Sequence, residues 1–272
     1  MDSGERLGRY FTLEKRDRCG ILYMDRPPVN SLDIEFLQEL AKIVDPISAD
    51  AAISAVVLTS RLKVFSAGLD LKMASQMDLK GWTRYALELN HSFNQLMNLP
   101  KPVIAAINGP ALGGGMLIAL FSDFRFVAEE KGKMGLPEAN LGIPLLGGST
   151  QCLARVVNRG WAIEIALSGN TYSSQEALSI GLAHRVFKDE ELLERSVAFA
   201  QELTERGPIA LGMIKRCINE GLRKEIEGIL PLELYAVEKT AEGEEMKEGF
   251  SSFLEKRRPV YKGGRRKERD DE

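Results

Sequence analysis

The chain has 272 residues, 44% of them hydrophobic and 28% charged, with a formal net charge of −3 at pH 7. That length builds one large soluble domain or two small ones, and the near-neutral balance leaves no electrostatic footprint for nucleic acid over the whole chain. Three scattered cysteines (Cys19, Cys152, Cys217) exclude a disulfide framework or a Cys-x-x-Cys metal site, and two histidines are too few for a histidine-based metal site.

The opening MDSGERLGRY has no apolar segment of the signal-peptide kind and is not rich in arginine and serine. No apolar run approaches a membrane span. The expectation is a cytoplasmic protein in a reducing compartment. Tyr10–Lys15 and Cys19–Met24 read as paired strands around the polar turn Arg16–Arg18. RPPVNSLD then stops the sheet, and Asp33 or Ser31 caps an amphipathic helix ending near Pro46.

AISAVVLTS is a nearly continuous apolar strand of the kind buried on both faces. A helix follows VFSAGLDL from about Leu79 to Asn98, where Pro100 and Pro102 stop it. On that helix His91 reads as a locally satisfied ring. PVIAAING is a second buried strand, leading into GPALGGGMLIALFSD, and DFRFVAE supplies another. From Gly147 the pattern turns mostly helical, broken by GLAHRVF, and Leu192–Lys256 is nearly all helical. GGRRKERDDE is a mixed-charge tail expected to be disordered. Repeated strand–loop–helix units with a helical end define an α/β (α+β) protein.

Two small-residue loops follow strands, FSAGLDL and GPALGGG. Neither holds a phosphate by a known template. Ile118 stands where the third glycine of Gly-x-Gly-x-x-Gly would be, no Gly-Lys-Ser/Thr follows, and Ser149 lacks the glycine of a nucleophile elbow. Glycines at a helix start expose unpaired N–H groups, so one donor from each loop can hold a carbonyl oxygen as it becomes negative. Glycines also permit close helix–strand packing, and the motif alone leaves both readings open.

FSAGLDL, INGPALGGG, GLPEANLGIPLLGGSTQCL and EGFSSFLEKRRP, in that order, resemble the successive signatures of the crotonase, or enoyl-CoA hydratase/isomerase, superfamily. The resemblance spans roughly Tyr10 to Lys262. It implies a crotonase-like spiral of repeated ββα units over residues 1–205 and a helical oligomerisation region over 206–262, with the charged tail at 263–272. It also implies assembly as a homotrimer or a hexamer of two trimers, and a coenzyme A thioester as substrate. No metal or other cofactor is implied, because coenzyme A enters as part of the substrate.

Carried over by position, the oxyanion donors are the main-chain N–H groups of Leu69 and Gly114. Ala67, Gly68, Asp70, Leu71, Lys72, Leu117 and Lys256 are the implied substrate-binding positions. Either lysine also reads as a solvated surface charge.

Glu138 stands in an apolar stretch with Met134, Leu136, Pro137 and Leu141, where a carboxylate is expensive to bury without a task or a partner. Its local sequence also allows a turn-capping role. By resemblance it occupies the family's second catalytic glutamate position. The first is Leu117 here, and leucine can neither activate water nor deliver a proton.

One carboxylate suffices to move a double bond from the 3- to the 2-position, and the pattern is similar to Δ3,Δ2-enoyl-CoA isomerases. The Pro-Glu pair of GLPEANLG is instead typical of hydratases. A hydratase, on a cyclic or otherwise specialised acyl-CoA, is the alternative, with Glu88 or Asp70 as the second acid. A non-catalytic binding module that uses Lys256–Arg258 and Arg265–Lys267 is the third reading, and retention of Glu138 with both glycine loops argues against it.

Overall fold

Glu5–Arg6 (β1) and Phe11–Arg16 (β2) lead into Cys19–Met24 (β3), and the β2–β3 hairpin turns at Asp17, with a φ of 53°. The computed structural model describes residues 4–226, 231, 234, 237, 238, 241, 245–257 and 259. The tail at 263–272 with Arg265–Lys267, together with Arg258 and part of the region 206–262, lies outside the described residues.

From β3 onward one pattern repeats: a buried strand, a very short strand, then helix. Cys19–Met24 is followed by Ser31–Leu32 (β4), Ile34–Lys42 (α1) and Val44–Ala49 (α2). Ala55–Ser60 (β5) is followed by Gly68–Leu69 (β6), Leu71–Ala74 (α3) and Leu79–Asn98 (α4). Val103–Ile107 (β7) is followed by Pro110–Leu112 (β8) and Gly114–Leu120 (α5). Phe124–Ala128 (β9) and Lys133–Gly135 (β10) then lead through a 3-10 turn, Pro137–Leu141, into Ser149–Val156 (α6). Arg159–Ser168 (α7), Thr171–Ser173 (β11), Ser174–Ser179 (α8), Arg185–Phe187 (β12), Leu192–Thr204 (α9), Pro208–Ile226 (α10) and Glu245–Leu254 (α11) complete the described elements.

The long strands form one sheet in the order β1-β2-β3-β5-β7-β9-β12, parallel from β3 to β12. The short strands form two small sheets, β4-β6 and β11-β10-β8, joined by a bridge between Ser66 and Ala111. This is the expected spiral of ββα units.

The long strands are apolar throughout because both faces of their sheet are covered. Leu22, Val56, Leu58, Ala105 and Val127 face the main core with α1, α4 and α5, whereas Ile21, Val57, Ile104, Ala106 and Phe126 face α9.

Two details differ from expectation. The β2 strand begins one residue late, at Phe11. The helix capped by Asp33, whose carboxylate accepts from the Phe36 N–H at 2.8 Å, ends at Lys42 and restarts at Val44. Pro46 has no N–H for a continuing helix, but it is tolerated in the first turn of a new one. Ser31, the other proposed cap, lies in β4. His91 is exposed on α4. No helix among the described residues is long and apolar enough to cross a membrane.

A half-buried carboxylate and a buried guanidinium fasten the spiral behind α5. Asp123, at the end of the glycine motif, accepts from the Val103 N–H at 2.7 Å and pairs with Lys215 of α10 at 2.7 Å. Arg125, only 5% exposed, donates to the carbonyls of Leu182 (2.8 Å), Ser122 (3.1 Å) and Ala119 (3.4 Å). The last two lie at the C-terminal end of α5, where a cation complements the helix dipole. Arg125→Met should leave three carbonyls without that donor and lower stability by roughly 2–4 kcal/mol in a denaturant titration. A loss under about 0.5 kcal/mol would show that solvent or a neighbour replaces the guanidinium.

Candidate active site

The site follows from the direction of the short strands. β8 and β10 run parallel, with Leu112 opposite Gly135, so the segments after them emerge side by side. The Gly113 N–H donates to Gly135 O at 2.9 Å and ties the two exits together. The Ser66 bridge adds the β6 segment to the same edge. Ser66 N–H donates to Pro110 O (3.2 Å), and Ser66 O accepts from Leu112 N–H (3.0 Å).

The segment carrying Leu69 is held from within. Ser66 Oγ donates to Asn30 O at 2.7 Å and accepts from the Gly68 N–H at 3.1 Å. Asn30, itself fully buried, donates to Phe65 O at 2.9 Å. The adjacent glycines are bare for different local reasons. A Cβ on Gly115 would stand 2.3 Å from Ser66 O, so this glycine serves packing. Gly113 has φ 53° and ψ −127°, a backbone closed to other residues, and a Cβ there would meet Glu138 Oε1 at 3.0 Å. A Cβ on Gly114 would lie 3.6 Å from Gly68 Cα and 3.8 Å from Leu69 N, so the two glycine loops are in contact. The Gly114 N–H opens α5 and has no acceptor within that helix.

Leu69, Gly114, Leu117 and Glu138 line one cavity of about 30 Å³ with Trp82, Tyr85, Leu89, Ile143, Pro144 and Leu146. Glu138 sits in the 3-10 turn, whose left-handed Gly142 returns an N–H to Ala139 O at 3.2 Å. The residue as a whole keeps some surface, but its Oε2 is sealed from solvent and has no hydrogen-bond partner. Burial pushes the carboxyl up to about 7. A carboxyl poised there exchanges protons readily near neutral pH. Its one local polar contact, to its own main-chain N–H, favours the charged form but is outweighed by burial.

The remaining sequence-derived positions do not line this cavity. Gly68 is buried and Ala67 exposed on the segment before Leu69. Asp70 caps α3, accepting from the Met73 N–H at 3.1 Å, and pairs with Arg26 at 3.1 Å. Leu71 packs on the core, while Lys72 and Lys256 are exposed. Glu88 accepts from Gln38 Nε2 at 2.8 Å and faces α1. Among the described residues no group of three or more His, Cys, Asp or Glu is placed to hold a metal.

Sequence reasoning missed Trp82, Tyr85 and Leu89. Their spacing on α4 marks a buried helix face, but spacing does not say which cavity that face lines.

The enoyl-CoA hydratase/isomerase family matches residues 15–265. A probable enoyl-CoA hydratase of Bacillus subtilis is 38% identical over 89% of this chain and 95% of its own. A putative enoyl-CoA hydratase/isomerase of the same organism is 37% identical over 92% and 96%. The crystal structure of an enoyl-CoA hydratase from Bacillus anthracis superposes with a TM-score of 0.75 at 33% identity, covering 94% of this chain and 100% of that one. The chain belongs to the enoyl-CoA hydratase/isomerase family, and it is an acyl-CoA-processing enzyme of the crotonase superfamily.

A carboxyl held above its unfolded-state value costs stability once it ionises. That cost is absent below about pH 4.5, grows as pH rises toward 7, and is complete above it. Glu138→Gln should therefore be more stable than wild type at pH 8, on the order of 2–3 kcal/mol by denaturant titration, and nearly equal to it at pH 4.5. A difference that does not change with pH would show that the carboxyl is not perturbed by burial.

Proposed function

We propose that the protein moves the double bond of a 3-enoyl-CoA to the 2-position. The observation that carries this reading is a cavity in which Glu138 is the one carboxylate among the described lining residues, with Leu117 on its wall where a second acid would stand. The main-chain N–H groups of Leu69 and Gly114 hold the thioester oxygen. Glu138 takes a proton from C2, and the electron pair of that C–H bond becomes the enolate held by the two donors. The enolate collapses as the 3,4 π bond accepts the same proton at C4, leaving a 2,3 double bond conjugated with the thioester. One group acts as base and then as acid, so the step needs no second carboxylate, metal or cofactor.

Two arginines near the site support a coenzyme A substrate. Arg6 and Arg9 line a cleft of about 520 Å³ just beyond Leu69, where Asp33 and Asp70 hold Arg26, and guanidinium groups suit phosphate. Assembly as a trimer or hexamer goes with this reading. Ile209, Met213, Ile214 and Ile218 leave an exposed apolar stripe on α10.

The names of the relatives favour hydration of a 2-enoyl-CoA. Hydration asks for a second acid, and both candidates are engaged elsewhere, Glu88 with Gln38 and Asp70 with Arg26. The two readings separate when 3-enoyl-CoA and 2-enoyl-CoA are supplied in turn and the ultraviolet absorbance of the conjugated thioester is followed. Isomerisation raises the absorbance from the first substrate, and hydration removes it from the second.

The isomerase reading expects the first reaction to be much the faster, with a rate that falls as pH drops below about 7, where Glu138 holds its proton. Glu138→Gln should lower it by roughly a hundredfold or more. Rapid hydration by the wild type would transfer the assignment to hydratase.

Leu117→Glu would place a second carboxyl in the cavity opposite Glu138, and like-charge repulsion would keep one of the pair protonated. A measurable gain of hydratase activity is expected, at some cost in stability from the added buried acid. No gain in a folded variant would remove Leu117 from its assigned place.

A further inference from the structure

The direction of the Leu69 N–H is set by the residues on either side of it. The Gly68 N–H is taken by Ser66 Oγ at 3.1 Å, and the Asp70 N–H donates to Leu32 O of β4 at 3.1 Å. Consecutive N–H groups of an extended segment point to opposite sides, so the Asp70 bond turns the Leu69 N–H away from β4.

Asp70 is fixed at three atoms. Besides its N–H, its Oδ1 accepts from the Met73 N–H at 3.1 Å and its Oδ2 meets Arg26 Nη2 at 3.1 Å. Asp33 repeats the arrangement on the neighbouring strand, with Oδ1 on the Phe36 N–H at 2.8 Å and Oδ2 on the same Nη2 at 2.5 Å. Leu32 and Leu69 are partners across β4 and β6, so the two aspartates follow paired residues, and each caps the helix that comes next. One guanidinium nitrogen joins two helix caps.

Arg26 is itself held from several directions. Its Nη1 donates to Ser31 O at 2.8 Å and to Ser31 Oγ, its main-chain N–H donates to Asn30 Oδ1 at 2.7 Å, and only 16% of its side chain is exposed. Without the guanidinium, two carboxylates would face each other at the ends of β4 and β6 and repel. That repulsion would act on the residue directly after Leu69.

We propose that Arg26 is a positioning residue which, through Asp70, aims the Leu69 N–H at the thioester oxygen. Arg26 does not line the Glu138 cavity and acts only through the strand ends it joins. The inference rests on the donor role given above to Leu69 and Gly114, and not on which enoyl-CoA reaction follows.

Acetoacetyl-CoA is the probe, because its enolate absorbs in the near ultraviolet and places negative charge on the thioester oxygen. Bound to wild type it should be enolised roughly tenfold or more beyond the free compound at the same pH, as two aimed donors require. Arg26→Met and Asp70→Asn should each remove most of that excess and lower kcat about tenfold on whichever enoyl-CoA the wild type turns over. KM, and the Kd of saturated butyryl-CoA by titration calorimetry, should change less than about threefold, because ground-state binding makes little use of the donor's aim.

Asp70→Asn keeps an oxygen to cap α3 but turns an NH2 group toward Nη2, so it breaks the link and spares the helix start if Arg26→Met fails to fold. Arg26→Lys keeps a cation between the carboxylates without the second arm to Ser31, and should recover part of both losses. Folded variants that lose stability while bound enolate and kcat stay at the wild-type level overturn the proposal and leave the two donors standing. A wild-type complex no richer in enolate than free acetoacetyl-CoA overturns the donor reading and the proposal together.

Discussion

The close approach of the Ser66–Leu69 segment to the start of α5 is the contact on which the site depends. Ser66 pairs through its main chain with β8 and holds Gly68 through its hydroxyl, and Gly115 is bare where the two backbones meet. A single methyl group at Gly115 would drive them apart by more than an ångström, because ordinary van der Waals contact begins well beyond 2.3 Å. Separation there would move the Leu69 and Gly114 N–H groups relative to each other. The relative placement of these two N–H groups is thus a packing problem first.

The carboxylate beside these donors is held against its own interest. Glu138 Oε2 has no hydrogen-bond partner, and burial rather than a neighbouring charge raises its affinity for a proton. Folding stability is spent here on a group whose protonation is balanced near neutrality, an arrangement that suits proton transfer better than structure. The apolar walls supplied by Leu117, Trp82 and Tyr85 produce that environment, and they also set its small volume. Tuning of the acid and restriction of the cavity are two consequences of one set of side chains.

The far end of the chain takes part in this arrangement. α11 reaches the Glu138 turn at Gly249 and the α4 indole at Phe250, while α10 is fastened behind α5 by the Lys215–Asp123 pair. The helical C-terminal segment therefore acts on the site from two sides. A change in α11 is transmitted to the cavity through packed rings and a close backbone contact, with no residue of that helix touching the reacting atoms.

Much of this was written locally in the sequence. The apolar runs at Ala55–Ser60 and Val103–Ile107, the Asp33 cap and the α4 boundaries at Leu79 and Asn98 follow from periodicity, capping chemistry and proline, all of which act over a few residues. The glycine loops and Glu138 were legible for the same reason, as residues out of keeping with their neighbours. The tertiary structure alone decided which of three adjacent glycines serves packing and which faces the acid. It also decided that Glu88 and Asp70 are occupied elsewhere, and that the rings of Trp82 and Phe250, 168 positions apart in the chain, stack on one another. Those outcomes depend on distances across strands and helices distant in sequence, and no local propensity encodes a distance of that kind.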